Sequence, residues 1–244
     1  MSFKQFLFEK KDSPYKIQAL EESEIYDLVN KHCSNMRFDR PYWRGMRGEA
    51  KGYILHGEVG NRKSINTSNH YTLIIDHCIE KYGEKDWPKR SKSIICANYP
   101  HQEHAKSFGA QLYAIFPFDD TIIGVCPGED IWEVKFPGNK RAYFSITSLN
   151  AEFEENNIRG NTYQELVEDL KQYMNGSDSS EKLHRLFADS DIEEKLKELY
   201  FDEIGFEYKK SKEVNKIAGR REVWMSDKCI AVSYQTWNNI VNNI

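Results

Sequence analysis

Apolar and polar positions switch between helical and strand-like spacing along this chain, and each switch marks an element. Residues 1–19 read as an extended lead-in. Ser23-Glu24-Ile25-Tyr26-Asp27-Leu28-Val29 then spaces its apolar side chains as a helix does after an acidic start, which predicts a helix over 21–35. Tyr42-Trp43-Arg44-Gly45-Met46-Arg47-Gly48 predicts a strand running into a loop closed by glycines, and residues 51–56 predict a second short strand. Asn66-Thr67-Ser68 offers an N-cap to a helix over 69–82 with Leu73, Ile74, His77, Cys78 and Tyr82 on one face. Trp87-Pro88 breaks the chain. Residues 90–97 then read as a strand entering the core, with Ser91 and Ser93 two apart and hence on one face. A short helix over 100–109 stops at Gly109, as a C′ glycine would stop it. Residues 111–118 and 121–125 predict a hairpin about Asp119-Asp120.

From residue 150 the texture changes. Residues 161–203 carry Glu, Lys and Leu at helical spacing, broken by Asn175-Gly176-Ser177-Asp178-Ser179-Ser180, which predicts a helical insertion of two or three helices. Residues 221–225 and 229–233 then predict a last strand pair about Ser226-Asp227-Lys228. Strands, helices and strands again define an α+β class. The expected division is a body begun by 1–149, a helical insertion over 150–210, and strands over 211–244 that complete the same body.

Composition narrows the function classes. Hydrophobic residues make up only 39% of the 244, but aromatics reach 13%, enough large side chains to build a core and to exclude a chain disordered over most of its length. The net charge of −4, from 34 Lys+Arg against 38 Asp+Glu, argues against attachment to nucleic acid by bulk charge. It averages an acidic helical region with a more basic N-terminal half, so it is a poor guide to the partner. No apolar run approaches the roughly 18–20 residues that span a bilayer. The opening Met1 to Ser13 places apolar residues before basic ones and has no small-residue cleavage site, unlike a signal peptide. Five cysteines, odd in number and never in a C-x-x-C arrangement, predict reduced and mostly buried thiols in a cytosolic protein.

Two familiar chemistries are set aside on spacing. His70/His77 and His101/His104 have no Cys or carboxylate cluster to complete a tetrahedral set, so no metal site is expected. Gly57-Glu58-Val59-Gly60-Asn61-Arg62-Lys63-Ser64 comes close to a phosphate-binding loop. Arg62 stands where a glycine is needed for backbone amides to wrap phosphate, which leaves a plain loop between strand and helix.

Four short pieces say more together than apart. They are Tyr42-Trp43-Arg44-Gly45; Arg90-Ser91-Lys92-Ser93-Ile94-Ile95; Ala105 and Phe108-Gly109 ahead of Leu112-Tyr113-Ala114-Ile115-Phe116-Pro117; and Glu222-Val223-Trp224-Met225, a turn, then Cys229-Ile230-Ala231-Val232. Singly, each has a bland account: an arginine packing its stem, a half-exposed strand, a docked helix, an edge carboxylate. In order, they resemble the ADP-ribosyltransferase superfamily in its Arg–Ser–Glu form, with an early arginine strand, a Ser-Thr-Ser strand and a late glutamate strand. The block from Arg90 to Pro117 also resembles uncharacterised bacteriophage proteins. The resemblance covers residues 40–135 and 217–235.

The resemblance implies a cleft of two small, mainly antiparallel sheets with flanking helices, and NAD as a donor whose nicotinamide–ribose bond is cleaved. Arg44 would pair with the pyrophosphate beside Gly45, and Ser91 would hold the acid and the nicotinamide ribose while Ser93 braces the neighbouring strand. Glu222 would stabilise charge at the anomeric carbon. Tyr71, Tyr82 or Phe108 would supply stacking. Asp130, in Gly128-Glu129-Asp130-Ile131-Trp132, is the alternative acid. Glu222 is preferred because its strand–turn–strand matches the family. Arg220 stands two before Glu222 where arginine-modifying toxins carry Gln or Glu, which disfavours an arginine acceptor. Lys89, Arg90 and Lys92, with Arg44, Arg47, Arg62 and Lys63, would favour a nucleic-acid acceptor if they form one basic face; as solvated charges on separate loops they leave the acceptor, protein or nucleic acid, open. The alternative function is a non-catalytic protein on the same fold that binds a host or virion partner.

Overall fold

The computed structural model describes residues 15–57, 76, 79–83, 86–98, 102–106, 109, 111–126, 128–129, 172, 207–210 and 217–243. The chain divides into two compact units: Met1–Arg62 with Asp86–Glu129 and Glu207–Ile244, and Lys63–Lys85 with Asp130–Phe206. In the second unit Asp76, residues 79–82 and Gln172 are helical, and Asp76 and Ile79 are buried.

The first unit is α+β, built on strands β1 (Lys16–Leu20), β2 (Tyr42–Met46), β3 (Gly52–His56), β4 (Ile94–Ala97), β5 (Gln111–Pro117), β6 (Ile122–Val125), β7 (Glu207–Lys210), β8 (Glu222–Met225) and β9 (Lys228–Ser233). Helices α1 (Glu22–His32), α2 (Gln102–Lys106) and α3 (Tyr234–Asn242) flank them. All nine strands join one antiparallel sheet in the order β1-β3-β9-β5-β2-β4-β8-β6-β7.

That sheet has a weak line. β2 and β5 pair along five residues, and β4 and β8 along four, but β2 meets β4 only at Trp43 opposite Ala97. Strands β1-β3-β9-β5-β2 and β4-β8-β6-β7 are therefore two well-knit groups sharing a one-pair seam. With so few ladder hydrogen bonds across it, other groups must satisfy the backbone there. Arg44 does so: its Nη1 donates to the carbonyl of Ile95.

The core is centred on strands with few exposed positions. Most residues of β5, β8 and β9 are buried, so these strands read as apolar runs rather than one-sided patterns. Helix α1 buries Ile25 and Val29, and the Ile25 side chain lies on Gly52, where a Cβ would come within 2.9 Å of it. In α3 the Ser233 side chain caps the helix by accepting from the Thr236 N–H. Trp237 of that helix stands edge-on to Trp43, with centroids 4.9 Å apart, and donates to the Phe38 carbonyl at 2.8 Å.

Several expectations need correction. Strands 111–117 and 122–125 form, but they are no hairpin, because β5 lies between β2 and β9 while β6 lies between β7 and β8. The pair about Ser226-Asp227 is likewise not a hairpin: β8 belongs to one strand group and β9 to the other. Both turns instead carry the chain across the seam, and they touch. The Phe118 N–H and the Thr121 hydroxyl donate to the Lys228 carbonyl at 3.1 and 3.2 Å. Asp119 fastens its turn to the end of α1, accepting from the Ser34 hydroxyl at 2.8 Å and the Asn35 N–H at 2.9 Å.

The strand read from residue 90 begins only at Ile94. Arg90–Lys92 form a 3-10 turn, so Ser91 and Ser93 do not share a strand face. Helix α2 is described over Gln102–Lys106, and Gly109, read as its stop signal, approaches β2, where a Cβ would collide with the Gly45 and Met46 backbone. Residues 207–210, at the end of the segment read as a helical insertion, form β7 on the sheet edge. Apart from Gln172, residues 150–206 lie outside the described residues, as do most of the helix read over 69–82 and the loop from Glu58 to Ser64.

Candidate functional site

Glu222 is the first residue of β8, in an interior strand, where a carboxylate would be costly without partners. It is 6% exposed, and Arg90, 7% exposed, lies against it with Nε 3.0 Å from Oε1. The Trp224 indole N–H, two residues along the strand and so on the same face, donates to the same Oε1. The Arg90 guanidinium also lies 5.9 Å from the Trp224 ring. Burial is thus compensated by a bond from a charged donor and a bond from a neutral donor on a single carboxylate oxygen.

Arg90 reaches this place because the 3-10 turn fixes its backbone. The Lys92 N–H donates to the Lys89 carbonyl at 3.1 Å and the Ser93 N–H to the Arg90 carbonyl at 3.3 Å. Ser93 is fully buried and its hydroxyl donates to the Lys89 carbonyl at 2.6 Å, so it braces this turn. Ser91 lies within the turn, half-buried, between Arg90 and Lys92.

Arg44 on β2 and Glu222 on β8 flank β4, and the serines lie in the turn that leads into β4. Trp43, Ala97 and Glu222 form one cross-strand row, and Arg44 follows Trp43 at the seam. Its guanidinium lies 5.5 Å from the Tyr15 ring. Beyond the bond to Ile95, its other N–H groups donate to nothing among the described residues. No hydrogen bond or ion pair joins Arg44 to Glu222 among the described residues, but Cys96 lies between their strands and feels both. Gly45 is buried in β2. Tyr71, Phe108 and the alternative acid Asp130 lie outside the described residues. Tyr82 is half-buried in the other unit. Arg220 forms an exposed ion pair with Glu129 at 3.7 Å.

Sequence reasoning missed two members of this cluster as site residues. Arg90 entered only as a basic residue near the serines, and Trp224 only as a member of the glutamate strand. For Trp224 the signal was present, since an i,i+2 aromatic carrying an N–H beside a buried acid is a ready donor. For Arg90 there was none, because it meets Glu222 across 132 residues of sequence.

The thiols of Cys33, Cys96 and Cys229 are buried. Burial pushes the Cys96 thiol up to about 12, opposed by the Arg44 guanidinium and reinforced by the Glu222 carboxylate. Burial raises Cys33 and Cys229 as well. Because the thiolate is the reactive form, these three cysteines are expected to resist a disulfide reagent at pH 8 until the chain is unfolded. Mass-spectrometric mapping of labelled cysteines before and after denaturation checks this; prompt native labelling of Cys96 would contradict its burial.

His70, His77 and His101 lie outside the described residues. Among the described residues, no three or more His, Cys, Asp or Glu converge as metal ligands, and no helix is long and apolar enough to cross a membrane.

By fold and site, then, the first unit is an α+β protein with a split antiparallel sheet and a buried, arginine-paired carboxylate beside the split. Compared with protein-family models, curated proteins and solved structures, the chain matches none.

Proposed function

We propose that the chain is a NAD-dependent ADP-ribosyltransferase that modifies a macromolecule, protein or nucleic acid, as an effector of a phage or toxin acting on host components. The observation that carries this is the adjacency of three strands. Residues 44, 91–93 and 222 are far apart in sequence, yet their segments lie side by side as β2, β4 with its leading turn, and β8. The seam between β2 and β4 is where two sheets would part to form a cleft.

In this reading the Arg44 guanidinium, permanently charged and planar, pairs with the NAD pyrophosphate through donors that Ile95 does not use. The Glu222 carboxylate accepts a ribose hydroxyl and faces the positive charge that grows at the anomeric carbon. The bond from that carbon to the nicotinamide nitrogen breaks, and its electron pair neutralises the pyridinium. The acceptor's nucleophile then bonds to the anomeric carbon and gives up its proton to Glu222 or to water.

A second reading has its own observation. A buried carboxylate already paired with arginine is also what a purely structural ion pair looks like, and it suits a non-catalytic protein that binds a host or virion partner. One experiment separates the two. Purified full chain is incubated with NAD, with and without cell extract, and free nicotinamide is quantified. The transferase reading expects release, and label from adenylate-labelled NAD that is lost to either protease or nuclease, which identifies the acceptor class. No release and no thermal shift with NAD would leave only the binding reading.

A further inference from the structure

We propose that Arg90 is the positioning residue of this site, clamping Glu222 by Oε1 so that Oε2 is the oxygen offered to the ribose hydroxyl. This rests on the NAD-cleaving reading above.

A glutamate's terminal torsion is broad, so an unrestrained carboxylate presents either oxygen in many orientations. Here both donors converge on one oxygen, Arg90 Nε at 3.0 Å and the Trp224 indole N–H beside it. Oε2 accepts no hydrogen bond among the described residues. It is also not among the fully buried side-chain atoms without a partner. A structural ion pair gains most when the guanidinium fork meets both carboxylate oxygens. This pair uses one and keeps the other in reserve.

The clamp is itself held. Arg90 opens the 3-10 turn whose backbone is pinned by Ser93, and its guanidinium is close to the ring of the residue that shares the acceptor oxygen. Arg90 meets Glu222 rather than the substrate, so it acts through the carboxylate. Its loss should harm the step in which charge develops more than it harms NAD binding, since a misplaced group costs rate even when binding survives.

The test compares the full-length wild type with Arg90→Lys and Arg90→Gln, each checked by circular dichroism, using steady-state nicotinamide release at varied NAD. The expected result is a kcat about 10- to 100-fold lower in Arg90→Gln, with KM for NAD shifted by less than about threefold. Arg90→Lys keeps the charge but not the planar fork, so it should fold and fall between wild type and Arg90→Gln. Millimolar methylguanidinium should restore part of the rate in Arg90→Gln and none in Glu222→Gln. Wild-type kcat in every folded variant, or a loss confined to KM, would overturn the positioning role while leaving the NAD reading intact. If Arg90→Gln fails to fold, Arg90→Lys decides by the same kcat–KM split. A wild type that releases no nicotinamide overturns the NAD reading and the clamp with it.

Discussion

Replacing Glu222 by Gln is expected to lower nicotinamide release from NAD by about 100-fold or more, the range typical of removing a charge-stabilising or proton-accepting group from a transition state. Gln keeps a carbonyl oxygen for the Arg90 and Trp224 donors but cannot carry the negative charge. Stability is expected to fall as well, because Glu222 is the buried counter-ion of Arg90. Removing one partner of a buried pair costs up to about 3–5 kcal/mol, and a retained acceptor places Glu222→Gln toward the low end. Chemical denaturation should therefore show a folded but less stable variant, and activity is to be measured well below its unfolding midpoint. Full activity in Glu222→Gln, together with loss in Asp130→Asn, would move the role to Asp130.

The second large effect concerns the seam rather than the chemistry. Gly57 directly follows β3, and a Cβ there would lie 2.5 Å from the Met225 carbonyl oxygen, 2.7 Å from that of Lys92 and 2.8 Å from that of Ser226. These are backbone atoms at the end of β8, in the crossover turn and in the turn bearing Arg90, so no side chain can swing aside. Gly57→Ala is expected to destabilise the protein by about 2 kcal/mol or more, the cost of overpacking against a backbone that cannot yield freely. A fall in the denaturation midpoint with an unchanged slope checks it; an unchanged midpoint would mean that Gly57 does not make this approach. The same residue explains a motif. The first glycine of the near phosphate-binding loop is accounted for by this close backbone packing.

Elements were legible where period was local. Strands about Tyr42–Met46, Gly52–His56 and Gln111–Pro117 and helix α1 appear within a few residues of their expected places, since alternation and helical spacing act over a turn or two. The start of β4 was misplaced because Ser91 and Ser93 mimic alternation, whereas Lys92 is exposed and the segment closes into a turn. Both supposed hairpins failed for one reason. A short polar turn between two apolar runs signals a reversal of the chain, and reversal is equally compatible with pairing and with crossing to another part of the sheet.

The candidate site divides in the same way. Arg44, Ser91, Ser93 and Glu222 were nameable because each sits in a short motif; the strands of Arg44 and Glu222 flank β4, while the serines lie in the turn ahead of it. Arg90 as the partner of Glu222 was not nameable. An arginine beside serines looks like a solvated charge until its burial and its bond across 132 residues are seen.

By itself, then, the sequence determined the α+β class, the positions of the short strands and the residue types available for chemistry. Those follow from local spacing and from what each side chain can do. The tertiary structure decided which strands are neighbours, where the sheet is split, and which cation holds the Glu222 carboxylate. Every strand presents the same N–H and C=O groups along both edges, so nothing local says which partner takes them. That choice belongs to the packing of the whole unit.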